Sequence, residues 1–136
     1  MKTGGGNRVA RKPRSKEPRS SIAIKRAYDK PAPQDGLRIL IDRLWPRGLS
    51  KAKLKLDAWP RELAPSTALR KWYGHKPQRF VEFRHRYTAE LARCPDRLEA
   101  LPATIEGHAA TLITATHDLE LSHAEVLRRI LQRKTK

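Results

Sequence analysis

The hydrophobic residues of the chain are concentrated in two short runs. Residues 37–41 read Leu-Arg-Ile-Leu-Ile, and residues 111–116 read Thr-Leu-Ile-Thr-Ala-Thr. Short runs of apolar and β-branched residues that are bounded by turn residues are typical of strands buried on both faces of a sheet. The pattern therefore predicts two core strands, and in each case charged or polar residues follow where the strand would leave the sheet.

Two further segments have the patterns of strands. Residues 22–28 form a short β-like stretch, and residues 53–57, Lys-Leu-Lys-Leu-Asp, alternate strictly between polar and apolar. Strict alternation predicts a half-exposed strand at a sheet edge with its lysines outward. Residues 29–36 contain two prolines and Asp-Gly, and they are too few for a helical crossover, so a hairpin and an extended return both fit.

Helices are predicted where apolar residues recur three or four positions apart. The clearest stripe follows Pro77 and consists of Phe80, Phe83, Tyr87 and Leu91. We interpret these aromatic residues as core rather than as a base-stacking platform. Ser66 and Gly74 are the expected N-cap and C-terminal stop of a helix over residues 67–73.

The C-terminal third of the chain adds two helices. A short helix is predicted over residues 97–101, with no continuation expected past Pro102. Ser122 and Glu125 form a capping box ahead of a final helix with one apolar face. The elements together predict a small α/β domain of two or three layers, with a mostly parallel or mixed sheet of three to four strands flanked by helices.

Composition divides the chain into a tail and a domain. Residues 1–20 contain glycines, prolines and seven cations against one glutamate, with almost nothing apolar. Such a segment cannot repay its ordering entropy, which predicts a disordered basic tail. Residues 21–136 are long enough for a single domain with a real core.

The charge balance indicates which partners suit this protein. A formal net charge of +16 favours polyanionic or phosphorylated partners, nucleic acid among them. The single cysteine, Cys94, allows no internal disulfide, and no apolar run is long enough for a membrane span or a signal peptide. We therefore expect a cytoplasmic protein with no membrane partner.

Candidate site residues follow the two core strands. Ligands of open α/β sheets bind outside the carboxyl ends of the strands, and the N-terminus of a helix attracts anions. The predicted ligand-binding residues are Asp42, Arg43, Trp45, Arg47, His117 and Ser122, and the candidate acid or base is His123. Arginine forks grip oxyanions, and histidine can move a proton near neutral pH. A small anionic ligand would fit this group.

Structural roles are an alternative for several of these residues. Asp42 and Arg43 could form an ion pair at a strand end, Ser122 could serve only as a cap, and Trp45 could fill the core. The other histidines have no metal-ligand spacing, so we predict no metal site. The sequence does not identify a cofactor, a reaction or an oligomeric state.

A resemblance to a known family emerges from four blocks of sequence. These are DRLWPRG at residues 42–48, LDAWPRELAPSTALRKWY at 56–73, FVEFRHRYTAEL at 80–91 and TLITATHDLELSHAEVL at 111–127. Over residues 22–131 the chain resembles the YeaO-like branch of the domain of unknown function 488 (DUF488) family. The resemblance implies a compact α/β domain, while the biochemical role of the family is not established.

The resemblance also shows where this chain departs from the wider family. There, one strand ends in Leu-Cys-Ala-Glu and the last helix begins with Cys-His-Arg. Here Thr114 and Thr116 replace the first cysteine and the glutamate, Ser122 replaces the second cysteine, and His123 is kept. These changes argue against thiol chemistry and leave an oxyanion pocket reasonable. The alternative function is nucleic-acid association through the tail and the basic helices, and a third is docking of an acidic peptide terminus.

Overall fold

The computed structural model describes residues 22–134, and the predicted basic tail lies outside them. Three strands, β1 (Ile22–Arg26), β2 (Leu37–Leu40) and β3 (Ala110–Thr114), form one sheet in the order β1-β3-β2. Both outer strands run parallel to β3. The predicted α/β class is confirmed, and the segment between β1 and β2 is an extended return because the two strands point the same way.

Five helices surround this sheet in the described part of the chain. They are α1 (Lys51–Leu54), α2 (Thr67–Tyr73), α3 (Phe80–Ala92), α4 (Pro95–Ile105) and α5 (His123–Lys134). Four 3-10 turns lie at Pro33–Asp35, Arg61–Leu63, Pro77–Arg79 and Leu119–Leu121. The predicted ends of α2 are confirmed, because the Ser66 hydroxyl accepts a hydrogen bond from the Leu69 amide and Gly74 is left-handed at φ 53°.

The main core lies between one face of the sheet and the longer helices. Phe83, Tyr87 and Leu91 of α3 are buried there, which confirms that the aromatic stripe belongs to the core. The hydroxyl of Tyr87 donates to the carbonyl of Leu63 at 2.5 Å, so even this fully buried polar atom has a partner. Burial raises the pKa of Tyr87 and keeps the phenol neutral.

A smaller core covers the other face of the sheet. Leu40, Leu54 and Ile113 are fully buried there, and the rings of Trp45 and Trp59 pack against them. The two indoles meet edge to face with centroids 5.4 Å apart. The indole of Trp45 also donates to the Leu49 carbonyl at 2.6 Å, which fixes the backbone directly after β2.

A buried ionic cluster explains why a charged residue interrupts the apolar run of β2. The guanidinium of Arg38 pairs with Asp35 at 2.6 Å and donates to the Leu54 carbonyl at 2.9 Å. Lys25 of β1 reaches the same carboxylate at 3.0 Å. Burial alone would raise the pKa of Asp35, but these cations and the Ala32 amide outweigh it, and the pKa lies below its usual value.

Three predicted element boundaries are wrong. Residues 53–57 do not form a strand, because the Ser50 hydroxyl caps α1 and Leu54 is buried as part of that helical turn. Helix α4 continues past Pro102 to Ile105, and both residues are buried against the core. Strand β3 ends at Thr114, two residues early, because the Ala115 amide donates to a side chain instead of to a strand.

No helix within residues 22–134 is long and apolar enough to cross a membrane.

Gly36 should be the least replaceable glycine ahead of β2. It has φ +65°, and an added Cβ would lie 2.1 Å from the carbonyl oxygen of Ala109, at the start of β3. Gly36→Ala should therefore lower the free energy of unfolding by about 3 kcal/mol or more, because both strands must move. Gly74→Ala is the matched control, since its Cβ would lie 3.6 Å from the nearest atom, the carbonyl oxygen of Lys71. Only the left-handed backbone conformation would then cost stability, about 1 kcal/mol. Equal losses in urea unfolding would contradict this prediction.

Candidate functional site

A cleft of about 650 Å³ opens at the carboxyl ends of β2 and β3. The residues after both strands, the start of α5 and the end of α2 line it. All seven sequence-predicted site residues lie along this cleft, namely Asp42, Arg43, Trp45, Arg47, His117, Ser122 and His123. The structure therefore brings the predicted residues together, while their part in ligand binding stays a prediction.

The carboxylate of Asp42 is the most heavily contacted group in the floor of the cleft. Its Oδ1 accepts hydrogen bonds from the Thr114 hydroxyl at 2.7 Å and is 2.9 Å from His123 Nε2. Its Oδ2 accepts from the Ala115 amide at 2.8 Å. One side chain thus ties the end of β2 to the end of β3 and to the first residue of α5. No arginine pairs with this carboxylate within residues 22–134, and the alternative of an ion pair between Asp42 and Arg43 is wrong.

These contacts determine the charge of Asp42. Burial alone would raise the pKa of this carboxyl, but the contact with His123, the Ala115 amide and the Thr114 hydroxyl more than compensate. The pKa of Asp42 therefore lies below its usual value, and the group is ionised at neutral pH. The His123 ring is in turn held by its contact with Asp42 and by an edge-to-face contact with Tyr87, centroids 6.2 Å apart.

Arg43 and Ser122 both have structural partners at the cleft. The guanidinium of Arg43 donates to the carbonyls of Ala64 and Pro65 at 3.0 and 3.2 Å, which holds the loop before α2 against the strand ends. The buried Ser122 hydroxyl donates to the Leu119 carbonyl at 2.7 Å and accepts from the Glu125 amide at 3.4 Å. Ser122 thus caps α5, although the carboxylate of Glu125 is taken by Arg128 and Arg129.

Arg47 and His117 are different, because both are exposed on the cleft wall. Within residues 22–134, neither side chain makes a hydrogen bond or an ion pair. Asp118, beside His117, is an exposed carboxylate on the same wall. The floor of the cleft is thus internally bonded, whereas its wall offers charged groups to solvent.

Sequence reasoning did not select several polar residues that line this cleft, among them Arg70, His75 and Tyr28. Arg70 lies within α2, His75 follows that helix, and Tyr28 follows β1. No local pattern marks them, because they reach the cleft only through the packing of α2 and the first loop. Left-handed His75, at φ 59°, is the clearest sign that the backbone turns sharply after α2.

The described residues limit what chemistry the cleft can support. Among residues 22–134, no group of three or more His, Cys, Asp or Glu side chains is arranged to hold a metal ion. The hydroxyls of Thr114 and Ser122 are hydrogen-bonded to protein atoms. The lining groups without a hydrogen bond or ion pair within residues 22–134 include the guanidinium groups of Arg47 and Arg70 and the carboxylate of Asp118, and the His123 ring is held against an ionised carboxylate.

Asp42→Asn should test the joint between the two strands and α5. The asparagine side chain has one accepting oxygen and one NH2 group, so it cannot accept hydrogen bonds at both positions as the carboxylate does. We therefore expect the free energy of unfolding at pH 5 to fall by about 2–4 kcal/mol. Because the native pKa lies below the ordinary 3.8, this contribution is complete above that pH and is lost as pH falls through the native pKa. The difference between variant and wild type should therefore shrink below pH 3.8 in urea titrations. Asp118→Asn, on the exposed wall, is the control and should change stability little.

Comparison with known proteins identifies the family of this chain. An uncharacterised protein of Mycobacterium tuberculosis is 39% identical over 110 residues, which cover 81% of this chain and 92% of the relative. The uncharacterised protein YeaO of Escherichia coli is 40% identical over 107 residues, covering 79% and 93%. No solved structure matches this chain. A family model described as the inactive DUF488-N3 subclade matches residues 21–136, and the chain therefore belongs to the DUF488 family.

Proposed function

We propose that this domain binds a small anionic ligand in the cleft at the strand ends. The observation that carries the proposal is that Arg47 and Arg70, from separate segments, line one cleft with no hydrogen bond or ion pair to their guanidinium groups among residues 22–134. Guanidinium groups grip carboxylate, phosphate and sulfate through paired N–H donors. Neither guanidinium group is paired with a carboxylate of the described residues, so both are free to bind an anion from solution.

The charge of the floor supports the same proposal. Three hydrogen-bonding contacts partly compensate the negative charge of Asp42, so the carboxylate repels an incoming anion less than a free one would. The cleft also includes the first residue of α5, a helix of 12 residues whose dipole favours negative charge at this end. The exposed carboxylate of Asp118 is the one group on the wall that opposes it.

A binding role fits the residues better than a covalent reaction does. The family model that matches this chain is that of an inactive subclade, and the relatives are uncharacterised. The positions where the wider family carries cysteines hold Thr114 and Ser122 here, and both hydroxyls serve as internal hydrogen-bond donors. His123 remains the candidate group for orienting the ligand or for moving a proton.

Removing either free arginine should weaken anion binding. We expect Arg47→Ala and Arg70→Ala each to lower the affinity for an anionic ligand by about tenfold or more, because a charged hydrogen bond is worth about 1.5–3 kcal/mol. The measurement is a thermal-shift screen of the full chain against phosphates, sulfur oxyanions and carboxylates, followed by calorimetric titration of each hit.

Lys71→Ala is the matched control for this experiment. Lys71 is exposed on α2 next to Arg70, but it does not line the cleft. It removes the same unit of charge, so it should leave the affinity nearly unchanged. If the lysine variant loses as much affinity as the arginine variants, the effect is general electrostatics and the cleft assignment fails.

A second candidate function, polyanion binding, is favoured by a separate groove of about 420 Å³ between α3 and α5. Arg84, His85, Arg129 and Arg133 line it, with no carboxylate among its lining residues. Arg129 pairs with Glu125, whereas Arg84 and Arg133 have no ion pair within residues 22–134. A cationic groove without acidic residues is suited to a phosphate backbone.

Charge removal in this groove should reduce the salt dependence of nucleic-acid binding. If Arg84 and Arg133 each contact a phosphate, the double variant Arg84→Ala/Arg133→Ala should lower the slope of log affinity against log salt by about 2. The measurement is fluorescence anisotropy of a labelled oligonucleotide at several salt concentrations. Lys51→Ala/Lys53→Ala on α1 removes equal charge elsewhere, and the same slope change in both double variants would reject this groove.

A further inference from the structure

The cleft at the strand ends is much larger than a simple oxyanion needs. Its volume of about 650 Å³ lies within the range of roughly 300–1,000 Å³ that is typical of sites for organic molecules. A tetrahedral oxyanion is comparable in size to a few water molecules of about 30 Å³ each, and would fill only a small part. The free arginines account for one end of a ligand, and the remaining space needs another occupant.

Six apolar residues are among those that line the cleft. They are Leu44, Trp45, Pro46, Ala64, Pro65 and Phe83, of which Leu44 is exposed, Trp45 is partly buried and the other four are buried. Leu44 is 64% exposed, although large apolar side chains are normally withdrawn from solvent. Apolar surface next to unpaired guanidinium groups is suited to a ligand that has both an anionic group and an apolar body.

Tyr28 is the most informative of the exposed residues. Its side chain is 45% exposed, yet its hydroxyl donates to the Arg47 carbonyl at 3.0 Å and the Arg26 guanidinium lies 5.4 Å from its ring centroid. Two contacts therefore hold an exposed ring in place. Tyr28 lines the cleft whereas Arg26 does not, and within residues 22–134 no other ring or cation lies against the Tyr28 ring.

We infer that the ligand carries its negative charge on a planar aromatic framework, whose ring packs on Tyr28 while its anionic group pairs with Arg47. This inference rests on the proposed anion-binding function and names the chemical class of the ligand. The hydrogen bond from the Tyr28 hydroxyl to the Arg47 carbonyl places the backbone of Arg47 next to the ring. A preordered aromatic surface gains affinity for a flat ring because little conformational entropy is lost on binding.

Matched pairs of ligands test the ring directly. Phenyl phosphate is compared with methyl phosphate, and adenosine 5′-monophosphate with ribose 5-phosphate, by calorimetric titration of the full chain at constant ionic strength. In the wild type, we expect the ring-bearing member of at least one pair to bind about tenfold tighter than its partner without a ring. The pair that shows this advantage distinguishes a simple aromatic acid from a nucleotide.

Variants of Tyr28 test whether the aromatic ring of the ligand packs on this residue. Tyr28→Ala should abolish the tenfold advantage, and its affinity for the ligand without a ring should equal that of Tyr28→Phe within about twofold, because both variants lose the hydroxyl contact with the Arg47 backbone. Tyr28→Phe should retain most of the advantage, because it keeps the stacking surface and loses only the hydroxyl anchor. Tyr28 is exposed, so neither variant removes a core residue.

The outcomes separate the two proposals. Equal affinity for both members of each pair in the wild type would overturn the aromatic ligand and leave anion binding intact. An advantage that survives Tyr28→Ala would overturn the position of the ring. Failure of all four ligands and of inorganic phosphate to bind would overturn the proposed anion-binding function, and this inference with it.

Discussion

The carboxylate of Asp42 is the constraint on which the cleft depends. It is the first residue beyond the buried Ile41, and its oxygens contact Thr114, the Ala115 amide and His123. Two parallel strands and the start of a helix are thereby joined at one group. A half-buried anion with several donors stays ionised, and removal of any donor would leave charge uncompensated. The geometry of the floor is therefore fixed by electrostatics as well as by packing.

The rest of the cleft follows from this joint. Because β2 is held against β3 at its end, the chain must turn away immediately, and the Trp45 indole fixes that turn through the Leu49 carbonyl. Arg43 then reaches the carbonyls of Ala64 and Pro65, which draws the loop before α2 over the strand ends. Helix α2 brings Arg70 to the cleft as a consequence. Local contacts near one carboxylate thus determine the position of a distant cation.

The sequence predicted the cleft residues that directly follow the two core strands better than those that other elements bring to the cleft. Strands and their polar ends have local signatures, so the predicted set from Asp42 to His123 does line one cleft. Arg70 and Tyr28 were missed because their positions depend on how α2 and the first loop pack, which no periodicity records. The alternation of residues 53–57 wrongly predicted a strand, because tertiary packing again decided the outcome. The Ser50 cap and the burial of Leu54 outweigh a weak strand propensity.

The division between floor and wall separates stability from binding in this protein. Thr114, Ser122 and Asp42 have their polar atoms satisfied by protein groups, so their substitution acts mainly on folding. Arg47 and Arg70 are exposed, and their guanidinium groups make no hydrogen bond or ion pair within the described residues, so no polar contact of the fold explains their position. Exposed cations that line a cleft without polar partners in the described residues are the basis for the proposed ligand binding. The wall is therefore where specificity can change without loss of the domain.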